Sequence, residues 1–189
     1  MLDKTGLVEI RWHGRGGQGA VTSAELLARA AISEGKYAQA FPSFGSERRG
    51  APVLAFDRIS NNEPIRVRAE ITEPDVVVVL DSGLIRIVNV TSGLKEGGLI
   101  IMNTKSSLAD IAAEFGNKWG LAVVNATSIA QELLGVNIVN TTMLGALIRA
   151  TGVVKLESLY EPLETRFGRL GARNIDAMKK AFEETEIKE

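Results

Sequence analysis

A glycine-rich segment from Gly14 to Gly19 is the first place in this chain where residue types and spacing could bind a ligand. Glycines let a bound group approach the main chain closely. A strand is predicted just before it, Leu7 to Trp12, and a helix from Gln18 to Ser33, where small and apolar residues recur at helical spacing. Unpaired N–H groups at the start of such a helix attract an anion. Arg15 adds a cation that can form bidentate hydrogen bonds to a phosphate or a carboxylate. The predicted cofactor-binding residues are Gly14, Arg15, Gly16, Gly17, Gln18 and Gly19.

The same segment satisfies the G-x-G-x-x-G pattern of dinucleotide-binding domains, so three interpretations compete. A dinucleotide site also needs an acidic residue at the end of the second strand to hold the ribose hydroxyls. The second predicted strand, Tyr37 to Phe41, is followed by Pro42 and carries no carboxylate. Glu34 has a suitable spacing but precedes that strand, at the wrong end of the sheet. Dinucleotide binding is therefore the least favoured interpretation, and a purely structural tight turn stays open beside anion binding.

Composition excludes several classes of site. The 189 residues include no cysteine and a single histidine, His13, which excludes thiolate-held iron–sulfur clusters, cysteine zinc sites, disulfides and thiol nucleophiles. No catalytic residue or metal site is predicted, and His13 is expected to be a hydrogen-bonded structural histidine. The net charge of −1 provides no field for nucleic acid or an anionic membrane. With no spanning apolar run and no signal-peptide pattern at Met1 to Gly6, we expect a soluble cytoplasmic protein.

The remaining pattern predicts one α/β domain over residues 1–189. Buried strands are expected at Asp75 to Leu80, Gly98 to Met102 and Leu121 to Val124, each followed by a polar cap candidate. Ala51 to Ile59 and Pro64 to Arg68 flank two asparagines and predict a hairpin of antiparallel strands. After Asn140 the pattern is helical to the end of the chain, with helices predicted at Thr142 to Ala150, Leu156 to Phe167 and Asn174 to Phe182. The fold class is thus three-layer α/β/α, with a mixed, mostly parallel sheet and a helical C-terminal segment.

Three polar residues follow predicted strands at the sheet edge where α/β proteins bind ligands. These are Asp81, Asn103 and Asn125. We interpret them as helix caps or turn formers rather than as ligand-binding groups.

A second non-regular segment, Phe41 to Pro52, combines aromatics, glycines, prolines and adjacent arginines. On composition alone, a solvated surface loop and a protein interface are equally supported. Aromatic residues beside arginine are typical of interface hot spots. Our hypothesis places four of its residues at a subunit interface: Phe44, Glu47, Arg48 and Arg49.

Three separated motifs resemble one known family. The segment Arg11 to Ala20, then Gln39 to Pro42 with Gly45 to Pro52, and finally Asn140 to Ala146 closely resemble the gamma subunit of pyruvate (2-oxoacid):ferredoxin oxidoreductase. The similarity runs from about Val8 to Arg173. Related gamma chains for 2-oxoglutarate and indolepyruvate resemble this chain in the glycine segment but typically end the second motif in Arg-Gly-Gly. The Arg49-Gly50-Ala51-Pro52 ending here is similar to pyruvate and branched-chain 2-oxoacid types, which favours pyruvate and leaves 2-oxoisovalerate open.

The resemblance implies a role within a larger enzyme. In this family thiamine diphosphate attacks the 2-oxoacid, electrons leave through 4Fe–4S clusters to ferredoxin, and coenzyme A collects the acyl group. This chain has neither cysteine nor a Gly-Asp-Gly thiamine motif, so it is expected to bind no prosthetic group alone. The implied partners are alpha, beta and delta subunits, with ferredoxin indirectly. The implied roles are assembly and part of the coenzyme A path. A stand-alone nucleotide- or acyl-CoA-binding module and a purely structural scaffold are the alternatives.

Overall fold

The computed structural model describes residues 6–43, 50–116 and 118–188. Strands in the described part are β1 (Leu7–Arg15), β2 (Tyr37–Pro42), β3 (Pro52–Ser60), β4 (Val76–Val79), β5 (Leu99–Asn103), β6 (Gly120–Val124) and β7 (Glu186–Lys188). Helices are α1 (Ala20–Ser33), α2 (Leu108–Phe115), α3 (Ala126–Leu134), α4 (Asn140–Thr151), α5 (Tyr160–Phe167) and α6 (Gly171–Glu184). Short 3₁₀ turns occupy 82–86, 156–159 and 168–170.

All of these strands join one sheet, in the order β2-β3-β1-β4-β5-β6-β7. Neighbours β1, β4, β5 and β6 are parallel, whereas β3 is antiparallel to both β1 and β2, and β7 is antiparallel to β6. Five strands therefore point one way, and only β3 and β7 point the other. The expected mixed, mostly parallel sheet in a single α/β domain is confirmed. The central strand β4 consists of four buried valines, because β-branched side chains suit a strand covered on both faces.

The two faces of the sheet are covered differently. We call the side that carries Ile10 and Trp12 the closed face, because α1, α3, α4 and α6 contribute to its large apolar core. The opposite side, which we call the open face, carries Arg11 and His13, the register partners of Val77 and Val79. Its smaller core is formed with α2 and the 82–86 turn, beside β4, β5 and β6. The three layers expected from the sequence are present, but one helical layer is much thinner than the other.

The predicted hairpin around the two asparagines is wrong. Residues 64–68 form no strand, and β3 pairs instead with β1 on one edge and β2 on the other. Since both edges of β3 are occupied, the later segment cannot pair with β3 as a hairpin requires. It is held by side chains instead, with Gln39 donating to the carbonyl of Ile65 and Arg58 to that of Val67.

The helical C-terminal segment is confirmed, but the helical pattern does not continue to the chain end. The helices α4, α5 and α6 are close to those expected, but α6 is followed by β7, which adds to the outer edge of β6. Three residues are too few to show an alternating pattern in the sequence. The strand forms because β6 offers an unpaired edge.

The third sequence motif, Asn140 to Ala146, has a packing role here. A Cβ on Gly145 of α4 would lie 2.0 Å from the carbonyl oxygen of Met178 in α6, so glycine permits the close contact between the two helices.

Candidate functional site

The glycine-rich segment connects β1 to α1, as the sequence predicted. β1 continues through Gly14 and Arg15, and α1 begins at Ala20 with Gly19 as its N-cap. Two of its glycines have a positive φ, a conformation that glycine adopts without strain: Gly17 at 91° and Gly19 at 82°. No side chain within the described residues caps α1, so its first N–H groups retain their capacity to bind an acceptor.

Parts of all three sequence motifs meet at this segment. Gly16 exchanges backbone hydrogen bonds with the end of the second motif, donating to Ala51 O at 2.9 Å and accepting from Gly50 N at 3.1 Å. On its other side Gly19 lies against the third motif, where an added Cβ would lie 2.6 Å from Asn140 Nδ2. Ser23 Oγ also donates to Asn140 O at 3.1 Å, which fixes α1 to α4. The motifs are therefore neighbours in space although they are far apart in the chain.

Arg15 is held in place by partners within the chain. Its Nε donates to Asp81 Oδ2 at 2.7 Å, and its Nη1 donates to Gly50 O at 3.2 Å. Gln18 closes the cluster, accepting from Arg15 N at 2.7 Å and donating to Asp81 Oδ2 at 3.3 Å. Partial burial alone would raise the pKa of Asp81, but hydrogen bonds from Arg15 and Gly83 lower that pKa below its ordinary value. The guanidinium thus has a fixed position, with its charge partly offset.

The polar residues at the strand ends are mostly structural. Asp81 caps the 82–86 turn through Gly83 N, and Asn125 caps α3 through Ser128 N, so both caps are confirmed. Asn103 instead links strands to α3, bonding to Leu80 O and to Thr127. Gln18 and Asp81 also line a cavity of about 460 Å³ at this edge of the sheet, together with Lys105.

His13 is hydrogen-bonded, as expected. Its Nε2 accepts from Arg11 Nε at 3.1 Å, so the imidazole proton is on Nδ1. Burial, and secondly the charge of Arg11, lowers the pKa of His13 to about 3. The imidazole is therefore neutral at physiological pH, and its one basic nitrogen is occupied.

The family model for pyruvate ferredoxin/flavodoxin oxidoreductase matches residues 9–184. This chain belongs to that family. The chain is 55% identical to the pyruvate/ketoisovalerate oxidoreductases common subunit gamma of Thermococcus litoralis over 97% of its length and 100% of the relative. It is 52% identical to pyruvate synthase subunit PorC of Methanothermobacter marburgensis over 94% of its length and 97% of that protein. The crystal structure of pyruvate oxidoreductase subunit PORC from Thermotoga maritima superposes with a TM-score of 0.86 at 39% identity, covering 97% of this chain and 99% of that one. Recognition of a gamma-type subunit of a 2-oxoacid:ferredoxin oxidoreductase is confirmed.

For this oxidoreductase subunit, one sequence hypothesis lies outside the described structure, and one buried residue was missed by the sequence analysis. The hypothesised interface residues Phe44, Glu47, Arg48 and Arg49 lie outside the described residues. Arg11 was not singled out, although it is a buried cation beside His13 on the open face. The sequence signal for Arg11 is its place between two apolar residues, Ile10 and Trp12, in a predicted strand. Where both faces of a strand are covered, such a residue buries its side chain on the face opposite to its two neighbours.

Within the described ranges, no group of three or more His, Asp or Glu side chains is placed to hold a metal ion. In the same residues, no helix combines the length and apolarity needed to cross a bilayer.

Proposed function

We propose that this chain is the gamma subunit of a cytoplasmic pyruvate:ferredoxin oxidoreductase, which oxidatively decarboxylates pyruvate to acetyl-CoA and passes electrons to ferredoxin. Alpha, beta and delta subunits hold the thiamine diphosphate and the 4Fe–4S clusters in this proposal. The observation that carries it is family membership over nearly the whole chain, and the meeting of the three motifs at the β1–α1 turn agrees with it.

The gamma chain contributes a binding surface for a phosphate of coenzyme A. The first turn of α1 has N–H groups that no described side chain caps, and these suit an anion. Among the described residues Gly17 borders open space, since an added Cβ would meet none of their atoms within 4 Å, so a ligand can reach the backbone there. Asp81 and Gly50 hold Arg15 beside this turn. The chain thus binds and orients, and coenzyme A supplies the thiol that accepts the acyl group.

Reconstitution tests the assignment. The purified chain is expected to be colourless, thiamine-free and inactive with pyruvate, because it has no cysteine and no thiamine motif. Mixing with partner subunits purified from native extract is expected to restore pyruvate-dependent viologen reduction. A brown, iron-containing preparation of the isolated chain, or turnover by it alone, would contradict this proposal.

The coenzyme A contact is tested separately with Arg15→Ala. Losing one charge-assisted hydrogen bond costs about 1.5–3 kcal/mol, so the KM for coenzyme A in the assembled enzyme should rise roughly 10- to 150-fold. Arg29→Ala, an exposed cation on α1, is the matched control. Wild-type coenzyme A kinetics in the Arg15 variant would remove this residue from the site.

The segment 44–49 is proposed as an interface with a partner subunit, through Phe44, Glu47, Arg48 and Arg49. Gly50, the residue that follows this segment, donates to Gly16 O in the β1–α1 turn and therefore lies beside the proposed coenzyme A surface. An arginine paired with a buried carboxylate across an interface costs roughly 2–5 kcal/mol in association when truncated. The double change Arg48→Ala and Arg49→Ala should leave the melting temperature of the isolated chain unchanged and prevent its assembly with the partner subunit. Normal assembly and activity would show that this segment is ordinary surface.

A second candidate is a gamma subunit shared by two enzymes. The Thermococcus litoralis relative is named as common to pyruvate and ketoisovalerate oxidoreductases. If the same holds here, affinity capture from native extract will recover two sets of alpha and beta subunits, and the capture will support viologen reduction with 2-oxoisovalerate as well as pyruvate. Recovery of one set of alpha and beta subunits, active with pyruvate alone, would support the first proposal, in which the chain serves a single enzyme.

A further inference from the structure

The open face contains a buried cation without a counter-charge. Arg11 is 6% exposed. Its Nε donates to His13 Nε2 and its Nη2 to the carbonyls of Val90 and Ser92, and within the described ranges no carboxylate pairs with it. A buried charge left unpaired in this way is costly, and an acidic group brought against it relieves that cost.

The carboxylates that lie along the same strands already have cations of their own. Glu9, on the same face of β1, accepts from Arg58 Nε at 2.8 Å. Asp75, just before β4, pairs with Lys95 Nζ at 2.8 Å. The charges of these four side chains cancel, so the positive charge of Arg11 remains for a group from outside the described chain.

Two hydrogen-bond donors remain available beside this charge. In the part of the chain that the structure describes, Nη1 of Arg11 has no partner, and the same holds for Nδ1 of His13, which carries the imidazole proton. Both side chains line a cavity of about 750 Å³ at the end of β1, and no acidic residue belongs to its described lining. A carboxylate has one negative charge and two acceptor oxygens, which match one cation and two donors.

The surface around this cavity is apolar and open. Pro42 and Pro52 belong to the lining and are exposed, and Leu54 and Val88 add half-buried aliphatic walls. Ile87, next to Val88 but outside the lining, is 58% exposed. A small molecule inside the cavity leaves Ile87 in water, whereas a protein segment across the opening covers it. The apolar rim therefore favours a protein as the source of the carboxylate.

We propose that the cavity receives an Asp or Glu side chain of a partner subunit, on an aliphatic segment that covers the rim. The carboxylate pairs with Arg11 and accepts from His13 Nδ1, and the flanking aliphatic side chains pack on Ile87 and Pro52. The inference rests on the proposed role of the chain as a subunit. It requires neither the coenzyme A surface nor pyruvate as the substrate.

Opposite charges placed at one rim position test this contact. Ile87→Glu brings a like charge towards the partner's acid, and should weaken binding of the full chain to partner subunits purified from native extract at least about tenfold. Ile87→Lys removes the same apolar contact but attracts the acid, so its loss of affinity should be smaller. Val136→Glu and Val136→Lys, on the exposed loop after α3, are the matched controls and should bind as wild type. Calorimetric titration measures the dissociation constants.

The single histidine reports the contact directly, since every imidazole signal of a chain with isotope-labelled histidine comes from His13. Assembly with unlabelled partner subunits should shift this signal in a nuclear magnetic resonance spectrum and slow the solvent exchange of the Nδ1 proton. Arg11→Gln should weaken assembly at least about tenfold, through loss of the buried ion pair.

Three results would overturn the proposal, and each can be obtained even if Arg11→Gln does not fold. The first is equal affinity of the Ile87→Glu and Ile87→Lys proteins for the partner subunits. The second is a His13 signal that assembly leaves unchanged. The third is a saturable shift of that signal in the isolated chain, with acetate or with rising protein concentration, which would assign the cavity to a small anion or to a second copy.

The same measurements separate this inference from the proposed function. If the wild-type chain assembles into an active enzyme and the Ile87 variants bind equally well, this inference fails and the proposed function stands. If the wild-type chain binds no partner subunit, both fail.

Discussion

At β1 and β3 each face of the sheet buries an ionisable side chain that has no opposite charge beside it among the described residues, and the two faces accommodate it in different ways. On the closed face Asp57 is fully buried, and its Oδ2 accepts from Trp12 Nε1 at 2.7 Å. Burial raises the pKa of Asp57 well above its ordinary value, against the smaller opposing effect of the Trp12 hydrogen bond. On the open face Arg11 is buried beside a cavity, with carbonyls and His13 as partners.

The difference follows from the chemistry of the two groups. A carboxyl group can become neutral by keeping its proton, so Asp57 can be sealed under α1 in an apolar core. A guanidinium stays protonated at any physiological pH, so Arg11 must keep acceptors around it. The closed face is therefore suited to stability, whereas the open face retains a site for an acceptor.

The largest expected effect compares neighbouring residues on β1. Trp12→Ala removes a fully buried ring and the only donor to Asp57 within the described residues, and should lower the free energy of unfolding by about 3–5 kcal/mol. His13→Ala opens onto an existing cavity and should cost about 1–2 kcal/mol. Urea unfolding of both variants measures these values, and equal costs would contradict the distinction between the faces.

His13 makes the open face sensitive to acid. The pKa of His13 is about 3 in the folded protein, whereas its ordinary value is 6.5. Below pH 6.5 the unfolded chain therefore binds a proton that the folded chain does not. Stability therefore falls as pH falls through this window, by about 1.4 kcal/mol per pH unit. The advantage of wild type over His13→Gln should shrink by about 2 kcal/mol between pH 7.5 and pH 5. A constant difference across these pH values would show that His13 titrates normally.

Asp57 should give the opposite dependence on pH. Its folded pKa is raised, so above the ordinary value of 3.8 the unfolded chain loses a proton that the folded chain keeps, and stability falls as pH rises. The Asp57→Asn variant has no carboxyl group at this position, so it does not lose stability in this way as the pH rises. Its stability relative to wild type should increase steadily from pH 4 towards neutrality, by no more than about 1.4 kcal/mol per pH unit. Parallel stability curves would mean that Asp57 is ionised in the folded protein.

The smallest effect is expected at the cavity wall. Leu54 is half-buried and borders existing open space, so Leu54→Ala should cost no more than about 1 kcal/mol. Leu27 is fully buried on the closed face, and Leu27→Ala should cost about 2–5 kcal/mol. Thermal unfolding of the pair provides the measurement, and a Leu54→Ala cost as large as that of Leu27→Ala would show that the cavity wall is packed like the core.

Local patterns predicted the parts of the fold that local forces determine. The alternation in β1, the glycine turn and the apolar repeat of α1 all lie within one short stretch of chain, and each was placed correctly to within a few residues. Pairing depends on which strand edges are free, which the sequence does not display. For that reason 64–68 was wrongly predicted as a strand, and β7 was missed.

The sequence by itself determined the family, the α/β class and the absence of any thiolate chemistry, because motifs and composition are properties of the chain alone. The tertiary structure decided which charges meet. Arg15 and Asp81 are 66 positions apart, and they pair because β1 and β4 are parallel neighbours whose carboxyl ends share one edge. The same arrangement leaves Arg11 without a carboxylate in the described chain, since Glu9 on its own face is already bonded to Arg58. Register and crossover bring distant side chains together, and no local pattern carries that information.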